Sequence, residues 1–403
     1  MNSKLFGGIL LVVGTTIGAG MLALPVATAE LGFWGSTFLL VGCWAIMTLC
    51  AFLFLEVNLW LPPNTNLISM AGATLGRWGQ VVAWSVYLLL LYSILSAYIA
   101  GGGDLFHYLL TTSGITLPLW VASVIFTGLF GLVVYFGIRL VDYVNRGLMF
   151  GKMGAYFLLV VLIVPFIQGA NLSVGEFKQI VAPTSLSVTV LAFTCAMVIP
   201  SLRTYFGEDI GSLRKAIFYG TLIPLVCYIA WDLVIMGVVP LSGSYGLAGM
   251  LHSSSANSDL VSALTGLLQK DDITRLAKFF TSICMATSFL SISLCLSDFL
   301  SDGLRIAKQG FGSIVVFVAT FAPPLLIVLL YPDAFIQGLR YAGISCFVLM
   351  LLFPPLMVWS GRYRRALAAT GNSVYQVAIG KPILGFLVVF GLVMIAVGLQ
   401  GVI

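Results

Sequence analysis

Long apolar runs separated by short polar connections dominate this chain. A low-charge run of about 20 residues can cross a bilayer as a helix. Such runs stand at 5–29, 32–60, 80–110, 117–137, 147–169, 186–206, 215–239, 274–303, 311–331, 334–359 and 381–401, which predicts about eleven spans. The first run carries an interruption at its centre, where Gly14 to Pro25 reads GTTIGAGMLALP. Gly costs roughly 1 kcal/mol against Ala within a helix. At membrane depth a broken helix is tolerated only against buried protein or a watery cavity. The pattern therefore predicts two half-helices meeting near the midplane, with the amides of the second free to meet an anion. A small-residue packing face is the alternative, and Gly14-x-x-x-Gly18 fits it too.

A second interruption follows in the sixth run, where Phe193 to Ser201 reads FTCAMVIPS. Breaks in the first and sixth of ten spans are what two five-helix repeats of opposite topology show, with the binding site between the two broken helices. On that reading the whole chain, 1–403, is one transmembrane domain, with repeats at 5–169 and 186–359 and a further helix at 381–401. The segment from Val239 to Ile273, with its SGSYG, HSSSANS and KDD stretches, is expected as the one sizeable outer loop, either a lid or a solvated connection.

Composition fixes the class. With 60% hydrophobic and 8% charged residues the chain is an all-α polytopic membrane protein, not a soluble globule. The first run is too long, and its glycines too central, for a cleavable signal sequence. With the N-terminus inside, the inner connections hold Lys4, Arg77, Arg139, Arg146, Lys152, Arg203, Arg214, Lys215, Arg305, Lys308, Arg362, Arg364, Arg365 and Lys381. The outer ones hold Lys178, Lys270, Arg275, Lys278 and Arg340, so 14 of the 19 basic residues favour a cytoplasmic N-terminus. An odd number of spans puts the C-terminus outside. The same bias accounts for the net charge of +5 without a nucleic-acid partner.

The seven cysteines all fall in apolar runs without metal-ligand spacing, and His107 and His252 lie at or beyond span ends. No catalytic constellation or phosphate loop is present, so neither an enzyme nor ATP hydrolysis is expected, and no cofactor or metal. Charges within spans are functional candidates, because each costs on the order of 3 kcal/mol at the bilayer centre. They are Glu56, Asp104, Asp232, Asp298 and Asp302, with Lys152 at the inner end of the fifth run. A partly buried lysine can lose its proton near neutral pH. It can equally be an anchor that snorkels to the surface.

Several stretches together resemble the hydroxy and aromatic amino acid permeases of bacteria. They are GTTIGAGMLALP, Leu55-Glu56-Val57, Tyr92 with Ser96 to Ala100, Val141 to Arg146, Lys152, Pro200-Ser201, Ile223-Pro224-Leu225, Ala286 to Phe289, Pro323-Pro324 and Tyr331-Pro332. The resemblance runs nearly end to end. It implies a leucine-transporter-like fold of two inverted five-helix repeats plus one helix, in the bacterial inner membrane, importing an aromatic amino acid, tyrosine first and tryptophan or phenylalanine besides, by proton symport. It also implies that Thr15, Thr16, Gly18, Ala19 and Gly20 hold the substrate's carboxylate and ammonium. Phe193, Thr194 and Cys195 would face it from the sixth span, Tyr92 from the third and Ser288 from the eighth. Lys152 would couple the proton, with Glu56 and Asp298 as further candidates. The aromatic branch usually reads like Phe-Gly-Phe-His-Gly in the sixth-span break, where this chain has Phe193-Thr194-Cys195-Ala196-Met197. A hydroxy or other neutral amino acid, and sodium in place of the proton, therefore stay open as alternatives.

A zwitterion needs carbonyl oxygens for its ammonium and amides for its carboxylate, and a broken helix frees both. A channel would need a continuous polar pore, whereas paired breaks favour a carrier. A membrane-embedded enzyme would need clustered acids or histidines, and only Asp298 and Asp302 come close.

Overall fold

The computed structural model describes residues 3–63, 65–136, 138–207, 209–243, 245–251, 253, 255–306, 308–331, 334–365 and 375–400. His252, Pro332 and the expected end of the last span at 401 lie outside the described residues. Every regular element among the described residues is helical.

The first run forms α1 (Ser3–Thr16) and α2 (Gly20–Ala27), whose axes differ by 55° across the break. There follow α3 (Gly32–Trp60), the short α4 (Leu67–Leu75), α5 (Arg77–Thr112), α6 (Leu119–Tyr135) and α7 (Ile138–Ile163). The sixth run is split into α8 (Pro183–Ala192) and α9 (Ile199–Phe206), and α10 (Ile210–Val238) comes next. Asp209 caps α10 by accepting from Ser212 N at 2.9 Å, and hydrogen bonding from the Ser212 side chain and then its backbone holds the Asp209 carboxyl below the ordinary carboxylate range.

Beyond these lie α11 (Ala256–Leu268), α12 (Asp271–Leu304) and α13 (Phe311–Leu330). The next span is α14 (Ala334–Cys346), a π-helical turn (Phe347–Leu352) and α15 (Phe353–Tyr363), and α16 (Lys381–Gln400) is last. Among the described residues nine helices are long and apolar enough to cross a membrane, or ten with the bent α1–α2 pair as one. The apolar α6 is shorter, at 17 residues or about 25 Å. A helix therefore stands at each of the runs picked out above.

Two connections differ from expectation. The 239–273 segment is not an open loop, because it folds into α11, whose Leu260, Val261, Ala263, Leu264 and Leu268 are buried. Those apolar residues recur at helical spacing within a segment whose flanks are polar, and a hydropathy average over the whole segment conceals them. Likewise α4, capped by Asn66 accepting from Ser69 N at 2.9 Å, lies between the second and third runs.

The two broken helices lie side by side and antiparallel: α2 packs along α8 and α1 against α9, each first half beside the other's second half. Close approach of neighbours depends on small residues, as at Gly343 on α14, where a Cβ would lie 2.3 Å from the carbonyl oxygen of Ser187 on α8. We call the end of the bundle that carries Lys4, Arg77, Arg203, Arg214 and Arg362 the basic end, and the opposite one the far end.

Candidate functional site

Where α1 stops, its backbone leaves the helical ladder. Ile17 N still donates to Val13 O, and the next ladder bonds run from Met21 N to Gly18 O and Leu22 N to Ala19 O. The amides of Gly18 and Gly20 have no protein acceptor among the described residues, and Gly20 is the first residue of the eight-residue α2. The amide between them, Ala19 N, donates to Ser288 Oγ at 2.8 Å. A Cβ at Gly18 would lie 2.6 Å from that same oxygen, whereas one at Gly20 would meet nothing within 4 Å. Glycine at 18 thus lets α12 approach, and glycine at 20 leaves room open.

The carbonyls at the break are held by side chains from three spans away or more. Lys152 Nζ on α7 donates to Ile17 O at 2.7 Å, and this lysine is only 1% exposed. Tyr228 Oη on α10 lies 2.8 Å from Thr16 O and 3.0 Å from Ala192 O. With a single proton the phenol donates to one of these carbonyls at a time or shares it, and so ties the end of α1 to the end of α8. In the second break Phe193 N and Thr194 N turn back to Val190 O and Leu191 O, and Thr194 Oγ1 lies 3.2 Å from Cys346 Sγ.

A cavity of about 230 Å³ opens between these breaks. Thr15, Thr16, Gly18, Gly20, Thr194, Ser288 and Lys152 all line it, so seven sequence-predicted residues meet in one place. Ala19 is buried behind the wall and bonded to Ser288. The rest of the wall is mostly apolar, with Ile94 and Tyr98 of α5, Met149 of α7, Leu191 of α8 and Ile292 of α12, and it also carries Asn145, Thr287 and Ser291. Such a chamber offers unpaired amides at one point and an apolar surface around it, the combination that an amino acid with a large side chain requires.

Five predicted residues stand elsewhere. Tyr92 donates to Ala319 O at 2.7 Å, and from the third span Ile94 and Tyr98 reach the cavity instead. Phe193 is buried with its ring 5.4 Å from that of Tyr228, and Cys195 is buried as well, so both support the second break from behind. Glu56 is wholly buried in a two-pronged pair with Arg362, at 2.7 and 2.6 Å, and also accepts from Val377 N at 2.8 Å. Asp298 pairs with Lys308 at 2.5 Å with its side chain 55% exposed.

Two other buried acids have clear partners. Asp104 accepts from Ser258 N at 2.9 Å and Ser258 Oγ at 2.6 Å, which fastens α11 to α5. Asp232 accepts from Ser36 Oγ at 2.5 Å. Sequence reasoning assigned no site role to Tyr228, Tyr98 or Met149: Tyr98 lies in the Ser96 to Ala100 stretch, but the resemblance points to Tyr92 instead, and nothing in the local pattern of Tyr228 or Met149 separates them from other apolar-span residues.

The profile of the tryptophan/tyrosine permease family matches residues 1–398. A tyrosine-specific transport system of Haemophilus influenzae is 32% identical over 90% of this chain and 89% of its own length. A glutamine transporter of Aliivibrio fischeri is 31% identical over 98% of this chain and 99% of its own. Among solved structures, a manganese transporter of Eremococcus coleocola superposes with a TM-score of 0.59 at 14% identity, covering 98% of this chain and 84% of that one, a likeness of fold.

Proposed function

From the premise that this chain belongs to the tryptophan/tyrosine permease family, whose members are transporters and not enzymes, we propose that it is a secondary carrier importing an aromatic amino acid by proton symport. The protein is a multi-pass bacterial membrane protein. Its basic end faces the cytoplasm on this reading, in the inner membrane, with the N-terminus inside and the C-terminus outside. The observation that carries the proposal is the pair of free amides, Gly18 and Gly20, opening on a largely apolar cavity beside a buried lysine.

The substrate's carboxylate sits on the Gly18 and Gly20 amides at the positive end of α2. Its ammonium meets carbonyl oxygens at the breaks, and its ring lies against Tyr98, Ile94 and Met149. The antiparallel packing of the two broken helices supports the inverted-repeat reading of 5–169 and 186–359, with 381–401 as the further helix.

Lys152 holds the end of α1 through Ile17 O, so its charge biases where that half-helix stands relative to α7. A proton and a substrate are coupled only if each favours the same conformational state. The charged lysine holds α1 in place, and loss of its proton weakens that hold and frees the inward-open arrangement. The glutamine-transporting relative supports a second reading, a carrier of another neutral amino acid. Uptake of labelled tryptophan and tyrosine into proteoliposomes, competed by each of the other amino acids, tests the choice. Aromatic competitors should dominate, and strong competition by glutamine or serine alone would move the protein to the second reading.

A further inference from the structure

The central cavity has a neighbour. Toward the basic end lies a second chamber of about 190 Å³, walled by Phe54 of α3, Tyr87 of α5, Phe299 of α12 and Ile68 of α4, and reaching the exposed Asn66. Met197 and Cys295 line both spaces, so these two side chains form the partition between them. Tyr87 Oη lies 3.4 Å from Cys295 Sγ, and the Phe299 ring stands edge-on to Tyr87 at 5.0 Å. Opposite stands Met197 on the turn between α8 and α9, an unbranched thioether that adapts to whatever lies beside it.

The chemistry of the walls says what this chamber can hold. Three aromatic rings and two sulfurs offer a good surface for another ring. No charged side chain lines it, and Asn66 Oδ1 is already committed to Ser69 N. A zwitterionic head group therefore has no partner there, while an aromatic side chain does. Unlike the central cavity, the chamber is suited to passage and not to retention.

We propose that this chamber is a release subsite, which receives the ring of the transported amino acid after it leaves the central cavity, with Met197 and Cys295 as the movable partition. The proposal rests on the carrier reading above. It makes α4, a helix outside the membrane-length spans, part of the exit, and it gives a reason for aromatic residues on α3, α5 and α12 that the central cavity does not use.

The test uses the full-length protein in proteoliposomes, with a charged methanethiosulfonate reagent applied at the basic end and equilibrium binding of labelled tryptophan measured on the same sample. Cys295 should be modified, Cys295→Ser should lose that modification, and saturating tryptophan should slow it by about tenfold. A second variant, Ile68→Trp, fills the chamber from a position that does not line the central cavity. Tryptophan binding should stay near normal while release into the vesicle falls by about tenfold. Binding of tryptophan without protection of Cys295, or normal release by a well-inserted Ile68→Trp, overturns the chamber and leaves the carrier standing. Absence of any amino acid binding overturns the carrier reading, and this inference with it.

Discussion

At the scale of single residues, the site depends on what glycine omits and on where one amine sits. A methyl group at Gly18 would fall 2.6 Å from Ser288 Oγ, the oxygen that holds Ala19 N. Gly18→Ala should therefore displace that bond, and losing one hydrogen bond of about 1.4 kcal/mol predicts roughly tenfold weaker substrate binding in a correctly inserted protein. Unchanged affinity would mean that the glycine serves packing alone. Lys152 admits two roles that substitution separates. Lys152→Ala removes both charge and titration, and accumulation driven by an imposed pH gradient should vanish while exchange down the substrate's own gradient persists. Lys152→Arg keeps the charge but cannot deprotonate, so accumulation should fail there too. Full accumulation by the Arg variant would leave Lys152 as a fixed cation bound to Ile17 O.

The elements themselves were legible in the sequence to different depths. Spans announce themselves because hydrocarbon demands long uncharged runs. The two breaks do so because Gly and Pro weaken a helix in the setting where unpaired backbone costs most; the five predicted residues that stand at the breaks meet at one cavity, together with Lys152 and with Ser288, which the family resemblance supplied. Tyr92 did not follow, since a helix of 36 residues presents its side chains all round and the run gives no sign of which face looks inward. Glu56 was singled out as an isolated charge because Arg362, its partner, lies 306 positions away. The pair clasps α3 to α15 and to the backbone at Val377, and both side chains are nearly unexposed. Glu56→Gln should then destabilise the protein by about 3–5 kcal/mol, the range seen when one partner of a buried pair is removed. Thermal unfolding in detergent would show this, and an unchanged midpoint would count against a structural role. At the far end, Asp104→Ala takes both acceptors from Ser258, so amide exchange across α11 should quicken while α5 stays protected. Equal protection in both proteins would show that α11 is held by its apolar face alone.

In the whole molecule, an antiparallel pair of broken helices encloses a cavity of about 230 Å³, and the proposed orientation turns the basic end to the cytoplasm. Reporter fusions should find the N-terminus inside and the C-terminus outside; both ends on one side would break the odd-span topology. The proposed transport rests on a narrower claim, that the amides of Gly18 and Gly20 recognise a carboxylate and the mostly apolar wall a ring. It is tested most directly by displacement of labelled tryptophan from the purified protein by tryptophan, tyrosine, phenylalanine and tryptamine, the last being tryptophan without its carboxylate. The three amino acids should displace the label, tryptamine should fail, and Gly18→Leu should remain folded without binding. Displacement by tryptamine as strong as by tryptophan, or normal binding by Gly18→Leu, would contradict the assignment of the break as the substrate site.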